Sequence, residues 1–145
     1  MLQTFLPPER YGLNYKGESM IESKHETVSI LLVEEEEWVR DSLIEFFSGN
    51  GYEVYAVGTA EQGLEEFMAN RYDAVIVDEV LPGMNGLRFL RMMDAEGPEH
   101  PVVVFLSGRT SGEIMESARR LGADVCLGKP FSAQQLEERI KDFLD

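Results

Sequence analysis

Five short apolar runs recur along the chain, and each is followed by a stretch in which apolar residues return at helical spacing. The runs are Ser29 to Val33, Glu53 to Val57, Ala74 to Val77, Val102 to Leu106 and Val125 to Leu127. Short runs rich in Val, Ile and Leu are typical of strands. In Ala74 to Val77 every residue is apolar, which indicates a strand buried on both faces, as in a parallel sheet covered by helices.

The stretches that follow these runs have the period of amphipathic helices. Their apolar residues at helical spacing are Val39, Leu43 and Phe46; Leu64, Phe67 and Met68; Leu87, Leu90 and Met93; Ile114, Ala118 and Leu121; and Leu136, Ile140, Phe143 and Leu144. Thr59, Thr110 and Ser132 each precede a Gln or Glu with the spacing of a capping box. The strict alternation predicts five βα units joined by right-handed crossovers, an α/β fold with a doubly wound parallel sheet.

The composition fits one acidic domain. The chain has 145 residues, with 13 Lys and Arg against 27 Asp and Glu and a net charge of -14. Such a surface repels phosphates, so we expect no direct nucleic-acid binding and no anionic membrane partner. Cys126 is the single cysteine, and we see no signal peptide or long apolar stretch, which predicts a cytoplasmic protein. We place one domain at residues 29–145 and expect residues 1–28 to be an N-terminal extension, partly disordered or added for expression.

Polar residues follow four of the five predicted strands. Glu34 and Glu35 follow the first strand, Asp78 the third, Ser107 the fourth and Lys129 the fifth. The carboxyl ends of parallel strands meet at one edge of the sheet, where ligands collect in open α/β folds. Taken singly, each residue also fits an ordinary solvated turn or helix start. Acids, a hydroxyl and an amine placed together at that edge predict a site for a hard divalent cation and a phosphoryl group.

With these residues placed, the chain resembles the receiver domain of two-component response regulators over residues 27 to 145. The resemblance rests on the acidic pair after the first strand, on Asp78 with its downstream Leu81-Pro82 and Gly86, on Ser107-Gly108 and on Lys129-Pro130-Phe131. It implies the flavodoxin-like (βα)5 fold with strand order 2-1-3-4-5. It also implies phosphorelay signalling, in which a histidine kinase or a phosphotransfer protein donates a phosphoryl group and a protein-interaction surface switches in response.

The resemblance makes Asp78 the phosphoacceptor, whose carboxylate attacks phosphorus and forms an acyl phosphate. Lys129 would place a point charge beside a phosphoryl oxygen, and the Ser107 hydroxyl would donate to another oxygen after phosphorylation. A cis peptide bond between Lys129 and Pro130 is implied as well. A domain of this kind catalyses only its own phosphorylation and dephosphorylation, so we do not expect a true enzyme.

The family's Mg²⁺ site maps onto Glu35, Asp78 and the backbone carbonyl of Val80, with Glu34 just outside the direct ligands. Receivers usually carry Asp at one or both positions of the acidic pair, whereas this chain has Glu at both. Mg²⁺ demands oxygens at about 2.0–2.1 Å in near-octahedral geometry, so the longer side chain must fold back or shift the ion. The pair therefore predicts an altered metal affinity and phosphorylation rate.

Three further positions bear on how such a domain switches. In the family, the residues two beyond the phosphoacceptor and two beyond the hydroxyl tune dephosphorylation, and here they are Val80 and Arg109. A branched apolar side chain and a bulky cation should obstruct an attacking water, which predicts a long-lived acyl phosphate. Cys126 replaces the family's usual aromatic switch residue, and we interpret it as a small buried hydrophobe.

Two alternatives stay open beside this hypothesis. A pseudo-receiver would use the same fold as an interaction module without productive phosphorylation. A phosphatase of the haloacid-dehalogenase type also uses an Asp nucleophile after a strand, but it needs a second Asp where this chain has Val80. In the leading hypothesis a downstream protein target contacts the family's usual face, formed by the fourth helix, the fifth strand and the fifth helix. That face would carry Arg119, Arg120, Asp124 and Arg139, and homodimerisation stays open.

Overall fold

The computed structural model describes residues 27–94, 101–109 and 112–144. Five strands run through these ranges: β1 at Ser29–Val33, β2 at Glu53–Val57, β3 at Ala74–Asp78, β4 at Val102–Ser107 and β5 at Val125–Gly128. All neighbouring strands are parallel, and their order in the sheet is β2-β1-β3-β4-β5. The doubly wound fold and its strand order are therefore confirmed.

A helix follows each strand: α1 at Glu37–Gly49, α2 at Ala60–Ala69, α3 at Gly86–Asp94, α4 at Gly112–Arg120 and α5 at Ala133–Leu144. Two of the predicted capping boxes have their cap hydrogen bond. The Gln62 N–H donates to Thr59 Oγ1 at 3.1 Å, and the Gln135 N–H donates to Ser132 Oγ at 3.0 Å. The third box begins at Thr110, which lies outside the described residues.

Two other sequence-based expectations concern the N-terminal extension and membrane-spanning helices. Residues 1–26, nearly all of the expected N-terminal extension, lie outside them, so the domain boundary stays a prediction. Within the ranges that the structure does describe, no helix has both the length and the apolar character needed to cross a membrane.

The sheet is covered on both faces because its central strands carry apolar side chains at successive positions. On one face, Val77 packs in a cluster with Phe89 of α3 and other residues of α2 and α4. On the other face, Ile76 packs in a cluster with Phe47 of α1 and Leu136 of α5. Burial of each such side chain contributes about 1.5–3 kcal/mol. The central strand β3 is thus enclosed from both sides up to its carboxyl end.

Two helical residues at the predicted inward spacing are exposed instead. Met68 is 65% exposed and Phe143 is 48% exposed. With about 3.6 residues per turn, sequence neighbours on a helix point roughly 100° apart. Phe67 packs against the core, so Met68 is turned outward. In the same way Leu144 packs against the core, and Phe143 is turned outward. In α1 the same geometry buries Phe47 and leaves Phe46 only partly covered.

Candidate functional site

The carboxyl edge of the sheet brings most of the predicted site residues together. Asp78 ends β3 and Ser107 ends β4, while Glu34 follows β1 directly and Lys129 follows β5 directly. Glu34, Asp78 and Ser107 are buried, with 1%, 4% and 1% of their surface exposed. The Lys129 N–H donates to the Ser107 carbonyl oxygen at 2.9 Å, which continues the pairing of β4 and β5 and fixes the lysine backbone. A polar site therefore lies directly on top of the apolar core.

Asp78 and Lys129 form an ion pair, with 2.7 Å between Oδ1 and Nζ. The peptide bond between Lys129 and Pro130 is cis, as the family resemblance implied. Burial raises the pKa of Asp78, although the Lys129 ammonium and the Val80 N–H offset part of this effect. Burial opposes the charge of Lys129, but the nearby acids, Asp78 foremost, outweigh it and raise the pKa of Lys129. The site thus holds a buried carboxylate with one preformed counter-charge.

The two glutamates after β1 have different surroundings. Glu34 Oε2 accepts a hydrogen bond from the Glu36 N–H at 3.1 Å, while Glu34 Oε1 is buried with no hydrogen-bond partner among the described residues. Burial raises the pKa of Glu34, and the charge of Asp78 adds to the effect. The Glu35 side chain is exposed. Arg40, which the sequence reasoning missed, donates from Nη1 to the Glu34 and Glu35 carbonyl oxygens at 2.8 and 2.9 Å and so holds the backbone of both.

This donor set fits a hard divalent cation. Asp78 and Glu34 are buried acids with raised pKa values, so a nearby cation would favour their charged forms. The unpartnered Oε1 of Glu34 is an oxygen that a cation or its bound water can satisfy. Across the part of the chain that the structure describes, no three His, Cys, Asp or Glu side chains form a ligand cluster. Mg²⁺ needs no such cluster, because it commonly takes one or two carboxylates and completes its shell with water and phosphate oxygens.

A third buried acid, Glu79, organises the neighbouring part of the edge, and the sequence reasoning missed it. In the β3–β4 register Asp78 pairs with Leu106, so Glu79 falls beside Ser107. The Ser107 hydroxyl donates to Glu79 Oε1 at 2.5 Å, and the Arg109 N–H donates to Ser107 Oγ at 2.8 Å. The Arg109 guanidinium closes the ring, because its Nε donates to Glu79 Oε2 at 3.0 Å and its Nη2 contacts the same oxygen. We call these three residues the Glu79 ring.

The Glu79 ring is electrostatically satisfied. Burial alone would raise the pKa of Glu79, but hydrogen bonds from Arg109 and Ser107 and the charge of Arg109 outweigh it, and the pKa of Glu79 is lowered. The hydrogen bond and charge of Glu79 raise the pKa of the Arg109 guanidinium. Hydrogen bonds that involve an ionised group are roughly twice as strong as neutral ones. The Ser107 hydroxyl is therefore already engaged by an anion.

Two other residues singled out from the sequence are Val80, which lies just beyond β3, and Cys126, which lies within β5. Val80 is 65% exposed directly after the buried acids. Cys126 is half-buried, and burial raises the pKa of its thiol. Its Sγ lies 3.9 Å from the Met115 carbonyl oxygen. A thiol with these surroundings packs as a small hydrophobe, in line with the interpretation from the sequence.

Gly86 fixes the loop that follows Asp78. A Cβ atom at Gly86 would stand 2.3 Å from the Asp78 carbonyl oxygen, so no side chain fits there without a shift of the backbone. The Gly86 N–H donates to the Glu79 carbonyl oxygen at 2.9 Å. Within the same loop Gly83 has a φ of 75°, in the left-handed region that favours glycine. These glycines hold the start of α3 against the end of β3.

Comparison with known proteins agrees with this geometry. A family model described as the response regulator receiver domain matches residues 30–141. The response regulator MprA of Mycobacterium sp. strain KMS is 34% identical over 117 residues, which are 81% of this chain and 50% of that protein. The sensory/regulatory protein RpfC of Xanthomonas campestris pv. campestris is 35% identical over 119 residues, which are 80% of this chain and 16% of that protein. The chain thus spans half the length of the first relative and less of the second.

A solved structure supports the same similarity. The crystal structure of a CheY-like response regulator receiver domain protein from Methanospirillum hungatei JF-1 superposes with a TM-score of 0.78 at 28% sequence identity. The match covers 82% of this chain and 94% of that chain. The similarity therefore extends over the whole set of βα units.

Proposed function

The chain belongs to the family of response regulator receiver domains, and on that basis we propose that it receives a phosphoryl group on Asp78 and switches a protein-interaction surface. Members of this family are generally signalling modules rather than true enzymes. The donor would be a histidine kinase or a phosphotransfer protein. The observation that carries the proposal is the buried Asp78 carboxylate, whose Oδ1 lies 2.7 Å from Lys129 Nζ at the carboxyl edge of the sheet.

In the proposed reaction a carboxylate oxygen of Asp78 attacks the phosphorus of a phosphohistidine. The new O–P bond forms as the P–N bond breaks, and the electron pair of the broken bond leaves with the imidazole nitrogen of the donor. Lys129 balances negative charge on a phosphoryl oxygen. Its ammonium already contacts Asp78, so this stabilisation needs little rearrangement during the reaction.

Mg²⁺ would be held by Asp78, the backbone carbonyl of Val80 and Glu35, with Glu34 beside them, as the family resemblance implies. The buried Glu34 Oε1, which has no hydrogen-bond partner in the described ranges, supports a cation at this position. Bound Mg²⁺ offsets the repulsion between an anionic nucleophile and an anionic phosphoryl group.

Intact-mass measurement after incubation with Mg²⁺ and acetyl phosphate tests the proposal. We expect one added phosphoryl mass on the wild type and none on Asp78→Asn. Asp41→Asn changes an exposed acid of α1 and is the matched control, which should gain the same mass as the wild type. A phosphoryl mass on Asp78→Asn equal to that of the wild type would place the phosphoacceptor elsewhere.

A pseudo-receiver is the second candidate, and the Glu79 ring favours it. The Ser107 hydroxyl, which a phosphorylated receiver would use, is engaged by Glu79 at 2.5 Å. In that case the fold would serve as an interaction module, and acetyl phosphate would add no mass to the wild type. The match to the receiver family gives no support to the phosphatase alternative.

The output surface of the proposed switch is the face formed by α4, β5 and α5. Arg119 and Arg120 are exposed there, and each lies 3.7 Å from Glu116 in ion pairs that are weak at a surface. Both arginines are thus available to an acidic partner protein. Asp124 has a structural contact instead, because its Oδ2 accepts a hydrogen bond from the Val103 N–H at 2.9 Å.

A further inference from the structure

Glu79 is a buried acid that the proposed phosphorylation chemistry does not use. It is 5% exposed, and both of its carboxylate oxygens are occupied. Oε1 accepts from the Ser107 hydroxyl at 2.5 Å, and Oε2 binds the Arg109 guanidinium. Ser107 is also the residue whose hydroxyl a phosphoryl group on Asp78 would recruit. Glu79 and that phosphoryl group would therefore need the same hydroxyl.

A serine hydroxyl has one hydrogen, so it donates to one acceptor at a time. Two acceptors lie within reach of Ser107 Oγ, namely Glu79 Oε1 at 2.5 Å and the Arg109 carbonyl oxygen at 3.0 Å. The shorter bond goes to an ionised acceptor and is the stronger one. To reach a phosphoryl oxygen on Asp78, the hydroxyl must first leave Glu79.

We propose that Glu79, clamped by Arg109, is a positioning residue that competes with the phosphoryl group for the Ser107 hydroxyl and so holds the domain in its resting conformation. This inference rests on the proposed role of Asp78 as phosphoacceptor. Switching then exchanges one anionic acceptor for another, so it is less favourable than in a domain whose hydroxyl starts free. Because Arg109 is a member of the Glu79 ring, opening the ring also frees the Arg109 side chain and the Arg109 N–H.

The resting contact is tested in the unphosphorylated protein by amide hydrogen exchange at Arg109. The Arg109 N–H donates to Ser107 Oγ at 2.8 Å. Without its hydrogen bond to Glu79, the Ser107 hydroxyl would be less fixed and would protect the Arg109 N–H less well. We expect Glu79→Leu to speed exchange at Arg109 about tenfold. Should Glu79→Leu not fold, Glu79→Gln keeps the shape with a weaker acceptor and should give a smaller increase in the same direction.

Glu116→Leu is the matched control for this exchange measurement. Glu116 is an acid of α4 whose side chain is 53% exposed, and its loss should leave exchange at Arg109 unchanged. An exchange rate at Arg109 that is the same in the Glu79 variants and the wild type overturns the proposal.

The competition is tested with beryllium fluoride, a phosphoryl analogue, in the presence of Mg²⁺, with the Gly108 amide signal reporting the bound fraction. We expect Glu79→Leu to bind the analogue about tenfold more tightly than the wild type. In a Ser107→Ala background the same substitution should gain nothing, because no hydroxyl is left to release. An equal gain in both backgrounds would show that Glu79 acts only by charge repulsion, and it would overturn the proposal.

Failure of the proposed function gives a different result. If the wild type and all variants except Asp78→Asn bind the analogue, Asp78 is supported as phosphoacceptor and the two tests above decide the role of Glu79. If none of the proteins binds the analogue, the assignment of Asp78 is contradicted, and the proposed competition for the Ser107 hydroxyl is contradicted as well. Faster exchange at Arg109 in Glu79→Leu would still establish the resting contact.

Discussion

Two neighbouring parts of the sheet edge are built in opposite ways. Around Asp78, two buried acids have the Lys129 ammonium as their nearby cation among the residues that the structure describes, and the pKa values of Asp78 and Glu34 are raised. In the Glu79 ring the acid has a guanidinium and a hydroxyl as partners, and its pKa is lowered. The two acids around Asp78 therefore share too little positive charge to offset their burial, whereas the Glu79 carboxylate has enough partners to offset its own.

The difference teaches that, under the proposed function, phosphoryl binding and switching would be opposed in this chain. If the proposals hold, a cation and a phosphoryl group would stabilise the Asp78 part, whereas the Glu79 ring would have to open before the Ser107 hydroxyl could reach the phosphoryl group. A ligand shifts a conformational equilibrium only by its difference in affinity for the two states. A phosphoryl group on Asp78 would therefore have to gain more from the Ser107 hydroxyl than the closed ring loses when Glu79 releases it.

Loss of an acid from the pair after β1 should have the largest effect, because it removes a carboxylate from the part proposed to hold the cation. We expect Glu34→Gln and Glu35→Gln each to weaken Mg²⁺ binding by about 10- to 100-fold. The single tryptophan, Trp38, is exposed in the first turn of α1, and its fluorescence can follow the Mg²⁺ titration. As a control, Glu45→Gln alters an exposed acid within α1, away from the pair, and should leave the affinity for Mg²⁺ unchanged. The larger loss identifies the direct ligand, and no loss in either variant would contradict the metal assignment.

The lifetime of the proposed acyl phosphate should depend on residues from both parts, because Val80 follows the buried acids and Arg109 belongs to the Glu79 ring. We expect Val80→Asn and Arg109→Glu each to speed its decay by about two- to tenfold, because they admit or orient an attacking water. The loss of phosphoryl mass with time, after removal of acetyl phosphate, measures the decay. Arg91→Glu reverses the charge of an exposed arginine on α3 and should not change it. Unchanged decay in both test variants would contradict the predicted long lifetime.

The smallest expected effect is on the free energy of unfolding. A fall in pH should increase the contribution of Asp78 and decrease the contribution of Glu79. The raised pKa of Asp78 means that the folded protein binds its proton more readily than the unfolded chain, so stability rises as pH falls toward the ordinary value of 3.8. The lowered pKa of Glu79 has the reverse consequence. Its contribution is complete above the ordinary value of 4.5 and is lost as pH falls from there through the folded-state pKa.

Urea unfolding at a series of pH values separates these two contributions to stability. Asp78→Asn should lose the rise in the free energy of unfolding on mild acidification, and Glu79→Gln should lose part of the fall at lower pH. Both changes should be small because Lys129 and Arg109, the partners of the two acids, are partly or largely exposed to screening solvent. The same pH profile in both variants and the wild type would contradict the contrast between the two parts.

Much of the fold and part of the site could be predicted because they rest on local patterns. Successive apolar residues from Ala74 to Val77 are enough to indicate a buried parallel strand. Polar residues at strand ends then bring Asp78, Ser107 and Lys129 to one edge, where the structure has them. The resemblance added the strand order and the cis peptide bond before Pro130, and both are present.

The role of Glu79 could not be predicted from such local patterns. An acid after a strand is ordinarily solvated, and its burial here depends on Arg109, which stands 30 positions later and is brought close by the β3–β4 register. Opposite charges just beyond two strands that pair are the one sequence signal that could have indicated it. Likewise, four consecutive glutamates give no sign that Glu34 is buried and Glu35 exposed.

Gly86 and Gly108, which follow β3 and β4, differ in how closely other atoms approach them. At Gly86 even a methyl group would stand 2.3 Å from the Asp78 carbonyl oxygen. At Gly108 no atom of the described residues lies within 4 Å of the position that a methyl group would take. If Asp78 is phosphorylated as we propose, we expect the backbone at Gly108 to move more readily than the backbone at Gly86, because the described residues leave room for a side chain at Gly108 and none at Gly86.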